Sequence, residues 1–227
     1  MALDLTKPNA SAPAVPAQQK TGLAAIIKSK IANTLSGKKG EQFVADVVAL
    51  VRNNPALATC DQVSLVASCL QAQTLGLSLN GAMGQAWVVP FEDRKTGTVK
   101  ATFQIGYKGR IDLAYRSGEV ALVQAHIVYE NDTFECEFGL EPKLVHKPAD
   151  SERGNPVKVY AMFKTKNGGY GFEVMSMDDV RKHAEKYSKA YNYGSSPWQS
   201  NFEEMAKKTV LKRVLKYAPL KSDFVRG

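Results

Sequence analysis

The chain has 227 residues, and its 30 Lys and Arg against 22 Asp and Glu give a formal net charge of +8. This basic balance favours a nucleic acid or an anionic surface as its partner. The three cysteines form no CxxC pair or Cys/His cluster, and there is neither a signal peptide nor an apolar run of about 18 residues. These features exclude a disulfide framework, a structural zinc site and a membrane span, and they predict a cytoplasmic protein.

The N-terminal part divides into a tail and a helix. Residues 1–20 are rich in Ala, Pro, Ser and Gln, which predicts a disordered tail. Apolar residues at near-helical spacing then predict a helix over residues 21–36, which either docks on the core or contacts a neighbouring copy of the chain. We assign residues 21–227 to a single core domain.

Two more helices are predicted before the pattern changes. Residues 41–52 carry apolar side chains on one helical face. The next helix begins after Asp61, whose carboxylate can cap it, and ends near residues 75–77. The core face of that helix is predicted to carry Val63, Val66 and Leu70.

The hydrophobic period then changes from helical spacing to alternation. Residues 85–91 and 99–105 predict a hairpin, and residues 110–116 predict a short helix. Further strands are predicted at residues 120–129, 133–138, 143–146, 157–165 and 170–175. Ser176 and Asp179 resemble a capping box for a helix that runs to Tyr187. This order predicts an α+β fold in which a mainly antiparallel sheet with β-hairpins packs against N-terminal and C-terminal helices.

Residues 197–217 are predicted to form one helix with two different faces. Its apolar arc consists of Ala206, Val210, Leu211, Val214, Leu215 and Tyr217. Lys208, Lys212 and Lys216 follow one another at a spacing of four on the other side, with Arg213 at the margin. Such a helix suits a polyanion, and the alternative is an ordinary solvated charged face. Lys207 projects near the apolar arc, so it must either extend to solvent or meet a buried anion.

The segment Gln104–Arg110 runs from a predicted strand into a helix N-terminus, where free N–H groups and the helix dipole attract phosphate. Its two glycines allow a backbone to approach closely. Tyr107 offers a ring, and Lys108 and Arg110 offer charge, which is the combination that single-strand binding requires. The alternative is an ordinary strand-to-helix corner. Trp198 likewise either completes the core or lies at the mouth of a groove.

The sequence gives little support to catalysis. It contains no GxxxxGK[ST] motif, so an ATP-driven protein of the P-loop kind is excluded. We expect His126 to be a hydrogen-bonded core residue, and we predict no catalytic residue, no metal site and no cofactor, with Mg²⁺ at most accessory. Glu135 and Glu137 share a strand face, which leaves a metal-dependent nuclease as an alternative. A sequence-specific duplex-binding protein is the second alternative. Such a protein requires Arg, Asn or Gln in the major groove, whereas the cations spaced along the predicted last helix are almost all Lys.

Four stretches of the chain occur together in a recognisable order. They are CD to LGL over residues 60–77, IGYKGRIDLAYRSG over 105–118, EFGL to HKP over 137–148, and SKA, PW, EMAKKT and KY between 188 and 217. Together they resemble the RecT branch of the RecT/Redβ family of phage and prophage single-strand annealing proteins. The resemblance extends over about residues 40–220.

The resemblance implies a function that the spacing of residues does not. Proteins of this family bind single-stranded DNA without sequence preference, form homo-oligomers or helical filaments, and anneal complementary strands in homologous recombination without ATP. They do so in the cytoplasm of a bacterial host, beside a phage exonuclease. The basic and aromatic positions of the family fall here on Lys108, Arg110, Arg116, Lys189, Trp198, Lys207, Lys208, Lys212 and Arg213. Gln104, Tyr107 and Lys216 complete the predicted DNA-binding set.

Members of the family usually continue into a tail or small domain linked to the exonuclease and to the host single-strand-binding protein. This chain ends at Gly227, so it is either truncated or without that docking surface, and these two partners carry over to it only weakly. Our hypothesis is that a basic groove between the helical and sheet layers holds the backbone of one strand. The bases then remain exposed for pairing with a second strand, which gives the process its specificity.

Overall fold

The computed structural model describes residues 22, 25, 27–29, 37–93 and 96–220. The tail predicted over residues 1–20 and most of the helix predicted over residues 21–36 lie outside the described residues. The chain divides into two compact units, one made of residues 1–71 and 88–104 and the other of residues 72–87 and 105–227. The assignment of one core domain to residues 21–227 stays a prediction. None of the described helices is long and apolar enough to cross a membrane.

The first elements in the chain are mostly helical. They are helix α1 (Gly37–Asn53), a 3-10 helix (Pro55–Thr59), helix α2 (Gln62–Thr74), and strands β1 (Ala86–Asp93) and β2 (Thr98–Ile105). Strands β1 and β2 hydrogen-bond to each other as a two-stranded sheet, at the place of the predicted hairpin.

The cap of helix α2 is as predicted, but its buried face differs in part from the predicted one. The Asp61 carboxylate accepts a hydrogen bond of 2.8 Å from the Ser64 N–H, so the predicted cap is confirmed. Val66 is buried as predicted, but Val63 is exposed. The reason is that the Ser64 and Ser68 hydroxyls each bond to the backbone of Ala101 at 2.9 Å, which turns their side of the helix towards β2.

The second unit contains the larger sheet and the C-terminal helices. Its elements are α3 (Tyr107–Arg116), β3 (Val120–Tyr129), β4 (Thr133–Glu137), β5 (Lys143–Lys147), β6 (Pro156–Thr165), β7 (Tyr170–Ser176), α4 (Met177–Tyr187), α5 (Pro197–Ser200) and α6 (Phe202–Val214). Strands β3, β6 and β7 form an antiparallel sheet in that order, and β4 pairs with β5 in a separate antiparallel sheet. The predicted α+β class with antiparallel hairpins is therefore confirmed.

The core of this unit lies between the β3–β6–β7 sheet and the helices. Alternate residues of β6, namely Val159, Ala161 and Phe163, are buried together with Ala206, Val210 and Val214 of α6. Val180 and Ala184 of α4 join the same cluster. Because the apolar face of α6 is committed to the sheet, the lysines that lie off this face are turned away from the core.

The predicted single helix over residues 197–217 is wrong in two respects. The Asn201 backbone leaves helical geometry, with φ −142° and ψ 53°, so α5 and α6 are separate helices. Helix α6 ends at Val214, and Tyr217 is 78% exposed rather than part of the apolar arc. Tyr217 falls outside the arc because the chain leaves the helix after Leu215 through turns that bond the 216 and 217 N–H groups three residues back.

Candidate nucleic-acid interface

The turn at the start of α3 is shaped by the chain's own backbone. The Gly106 N–H donates to the Gln85 carbonyl at 2.8 Å. A Cβ on Gly106 would lie 2.3 Å from the Gly84 oxygen, and one on Gly109 would lie 2.2 Å from the Gln85 oxygen. These glycines do allow a backbone to approach closely, as predicted, but the approaching backbone is that of residues 84–85.

The side chains of Tyr107, Lys108 and Arg110 in this turn differ in their exposure and contacts. Tyr107 is half-buried and packs against the core of the second unit. Lys108 is exposed, whereas Arg110 is half-buried. The Arg110 Nε is shielded from solvent and has no hydrogen-bond partner among the described residues. Of the three, Arg110 is therefore the side chain whose polar group lacks a structural explanation.

Arg116, in the last turn of α3, has contacts that account for it structurally. Its Nη2 donates to the Leu75 carbonyl at 2.8 Å and forms an ion pair of 2.8 Å with Asp112. A Cβ on Gly76, whose φ is +60°, would lie 3.0 Å from Arg116 Nη1. The guanidinium therefore secures the turn that follows α2, and its assignment to DNA stays a prediction.

Four cations from neighbouring parts of the second unit lie near one another. We define the basic row as Arg110 of α3, Lys208 and Lys212 of α6, and Lys216 of the turn after α6. Partial removal from water lowers the pKa of Lys212, although the residue as a whole is exposed, and the charges of Lys208, Arg110 and Lys216 lower this pKa further. Helices α3 and α6 and the turn after α6 thus bring Arg110, Lys208 and Lys216 close enough to Lys212 to disfavour its charged form.

No carboxylate compensates this repulsion within the described part of the chain. The ion pairs found there include Lys182 with Asp178 at 2.7 Å on α4, but none involves a member of the basic row. Solvated helix faces are commonly stabilised by such i,i+4 pairs, whereas like charges at this spacing are destabilising. The basic row therefore has the composition of an anion site rather than of an ordinary charged face.

Lys207 and Arg213, next to the basic row in sequence, are engaged elsewhere. The Lys207 ammonium, with its side chain 31% exposed, bonds to the Glu204 carboxylate at 2.8 Å. The anion that it meets is therefore an exposed carboxylate and not a buried one. Arg213 forms an ion pair with Glu173 of β7 at 2.5 Å.

His126, expected in the core, is exposed on β3. Side chains alternate along a strand, and the neighbouring Ile127 takes the buried position. The pKa of His126 is lowered by partial burial, by His146 and by Lys207. The charge of Lys207 therefore affects His126 on β3, whereas the charge of Lys208 affects Lys212.

Trp198, Lys189 and Gln104 are the remaining members of the predicted DNA-binding set. Trp198 is 8% exposed, and its ring lies 6.2 Å from Tyr191 and 6.0 Å from Phe202. This placement fits the alternative of a core residue. Lys189 is exposed between α4 and α5, and Gln104 is exposed on β2 in the first unit.

Helix α4 brings near the basic row two further residues, His183 and Tyr187, that are not among the predicted site residues. Its predicted cap is confirmed, since Ser176 Oγ accepts from the Asp179 N–H at 3.0 Å. His183 is half-buried, and its pKa is lowered by desolvation and then by the charges of Arg213, Lys212 and Lys216. The Tyr187 ring lies 4.8 Å from the His183 ring and is 67% exposed. The i,i+4 spacing of two aromatic residues beside Lys186 could have drawn attention to this pair.

The acidic residues near the β4–β5 hairpin have structural partners. Glu135 bonds to Lys143 across the hairpin at 2.7 Å. Over the described ranges, no group of three or more His, Cys, Asp or Glu side chains could hold a metal ion.

Asp132 is the centre of a buried polar network at the base of this hairpin. Its side chain has no exposed surface and receives hydrogen bonds from Arg153 at 2.6 Å and from the backbone N–H groups of Tyr129 and Ala149 at 2.9 Å. His146 Nε2 lies 3.0 Å from the same carboxylate. The Arg153 hydrogen bond is the largest cause that holds the pKa of Asp132 well below its usual range. The network anchors the loop between β5 and β6.

An α+β protein with a row of uncompensated cations can hold a polyanion, and comparison with known proteins gives its family. A sequence model of the RecT family matches residues 41–226. The chain is 40% identical over 189 residues to Protein RecT of Escherichia coli (strain K12), covering 82% of this chain and 69% of that protein. It is 32% identical over 186 residues to the uncharacterized protein YqaK of Bacillus subtilis (strain 168), covering 79% of this chain and 59% of that protein. The chain belongs to the RecT family.

Proposed function

We propose that this protein binds single-stranded DNA and anneals complementary strands in homologous recombination, without ATP and without a covalent catalytic step. The observation that carries the proposal is the basic row, in which four cations from α3, α6 and the turn after α6 lie together without a carboxylate partner in the described part of the chain. Membership of the RecT family supports the recombination role.

The geometry of the basic row suits a phosphodiester backbone. The four-residue spacing within α6 separates Lys208 and Lys212 by about 6 Å along the helix axis, which is close to the separation of successive phosphates in an extended strand. Each phosphate that a lysine neutralises releases condensed counterions, and a strand relieves the repulsion among Lys208, Lys212 and Arg110. Such contacts carry no sequence information, so one site serves any strand.

Annealing follows if the bases stay accessible while the backbone is held. The lysines of the basic row bind phosphates, and their ammonium groups leave the Watson–Crick edges unoccupied. A second strand can then test each position by pairing, so that specificity belongs to the bases. We further propose that protomers assemble side by side in the cytoplasm of a bacterial cell. A homo-oligomer would extend the basic row from one protomer to the next and make the binding cooperative.

An annealing assay tests this function directly. Two complementary labelled strands are incubated with the protein, with and without Mg²⁺ and always without ATP, and are separated on a native and on a denaturing gel. The expected result is full-length duplex formed faster than without protein. The double variant Lys208→Ala/Lys212→Ala should lose this acceleration, whereas Lys182→Ala, which removes an ion-paired lysine of α4, should keep it.

Two results would overturn the proposal. If the wild-type protein does not accelerate duplex formation, it is not an annealing protein under these conditions. If the denaturing gel shows shortened strands that depend on Mg²⁺, the nuclease alternative replaces it.

A further inference from the structure

Helix α4 contacts α6 and carries an aromatic pair beside the basic row. His183 and Tyr187 lie one turn apart with ring centroids separated by 4.8 Å and planes inclined by 46°. His183 is close enough to Arg213, Lys212 and Lys216 for their positive charges to disfavour its protonation. The His183 end of the pair therefore lies near Lys212 and Lys216 of the basic row.

The exposure of Tyr187 is the second observation. Large aromatic side chains are normally buried, because each removes a large apolar area from water. Other tyrosines of the second unit are also exposed, but Tyr170 donates its hydroxyl to the Pro142 carbonyl at 2.6 Å and has a structural contact. Tyr187, at 67% exposed, instead has the Lys186 ammonium 5.4 Å from its ring centre. A flexible lysine over an open ring leaves a face that a planar ligand can take.

We propose that His183 and Tyr187 form a stacking site for an unpaired nucleobase of the strand whose phosphates lie on the basic row. This inference rests on the proposed function and adds the base to the backbone as something the protein recognises. Stacking uses the face of a base and leaves its Watson–Crick edge free, so it is compatible with annealing. Lys186, displaced from the ring, is placed to contact the adjacent phosphate.

The stacking site also gives the protein a reason to prefer single strands. A base inside a duplex is covered on both faces by its neighbours, so exposing one face to Tyr187 requires unstacking. A single strand has bases that are free to turn out. Every base has an aromatic face, so the site selects unpaired nucleotides without selecting a sequence.

The test compares two probes that share a backbone and differ in their bases. Fluorescence anisotropy measures the affinity of wild type and variants for an oligo-dT strand and for an abasic deoxyribose-phosphate strand of the same length and label. Tyr187→Ala should weaken oligo-dT binding about 5-fold or more and leave the abasic affinity unchanged, whereas Tyr187→Phe should retain the wild-type affinity for both. Tyr193→Ala, which removes another exposed tyrosine, serves as the matched control and should change neither affinity.

The outcomes separate this inference from the proposed function. An unchanged oligo-dT affinity in Tyr187→Ala, or an equal loss on both probes, would overturn the stacking site. Lys212→Ala should weaken both probes alike, and its failure to do so would contradict the DNA-binding role of the basic row instead. Circular dichroism of each variant confirms that the exposed substitutions leave the fold intact.

Discussion

Gly109 lies against the backbone of Gln85 so closely that a Cβ on it would be 2.2 Å from the Gln85 carbonyl oxygen. The glycine at this position is therefore explained by packing within the second unit. The same holds for Gly106, where the nearest oxygen belongs to Gly84. These contacts give the start of α3 a fixed position, and with it the place of Arg110 in the basic row.

The first prediction follows from this packing. Gly109→Ala should lower the free energy of unfolding by about 1–3 kcal/mol, because backbone atoms cannot yield to the added methyl group as a flexible side chain can. Thermal or urea denaturation without DNA measures the change. Gly194→Ala is the control, since a Cβ there meets no atom within 4 Å, and its stability should be unchanged or slightly higher. Equal stability of Gly109→Ala and wild type would contradict the packing explanation.

Local patterns in the sequence were sufficient for much of the fold. The strand over residues 120–129 and the helix ending at Tyr187 have the predicted limits, because alternation and a capping box act within a few residues of one another. The break at Asn201 was not predictable in this way. Asn201 closes α5 through a bond from its N–H to the Pro197 carbonyl, and this short helix carries the buried Trp198.

The basic row was only partly predictable because it is assembled from separate elements. Its three lysines follow from the four-residue spacing in the sequence, but the contribution of Arg110 depends on how α3 packs against α6. Lys207, in contrast, was singled out from the sequence but is explained by a local ion pair. Its position near the apolar arc made it the most informative lysine in the sequence, yet an exposed glutamate one turn away already pairs with it.

The second prediction concerns the salt dependence of binding. Lys208→Ala and Lys212→Ala should each weaken binding of any single strand and lower the log–log salt slope by about 0.7, which corresponds to an affinity about 4-fold lower at 0.15 M salt. Lys207→Ala should have a smaller effect on the slope, because Glu204 already neutralises this lysine. Anisotropy titrations at salt concentrations from about 50 to about 400 mM give the slope for each variant. If Lys207→Ala changes the slope as much as Lys212→Ala does, the division between the two faces of α6 is wrong.

The third prediction concerns the buried Asp132 network. Its folded-state pKa lies below the unfolded value of about 3.9, so its contribution to stability is present above about pH 4 and is lost as the pH falls further. Asp132→Asn should therefore lower the melting temperature at pH 7 by several degrees, and the difference from wild type should narrow below about pH 4. Glu135→Gln, which breaks an exposed pair with Lys143, should have little effect at either pH. A constant difference across this pH range would mean that Asp132 acts through shape rather than charge.

The last prediction links protons to DNA at His183. Partial burial, and then the charges of Arg213, Lys212 and Lys216, disfavour the imidazolium, so the folded-state pKa of His183 lies below the unfolded value of about 6.5. Without DNA, the unfolded chain therefore takes up the proton first, and wild type should lose stability relative to His183→Gln as the pH falls below about 6.5.

DNA should reverse the sign of this effect. Phosphates on the basic row favour the imidazolium, so wild-type affinity for oligo-dT should rise as the pH falls from about 8 to about 6, by less than one log unit per pH unit for a single proton. His183→Gln should show a flatter dependence, while Lys208→Ala, which retains the imidazole, should keep most of the slope. Calorimetric titrations in two buffers of different ionisation enthalpy count the protons taken up on binding. Parallel pH profiles for wild type and His183→Gln would show that the bound phosphates lie too far from His183 to act on it.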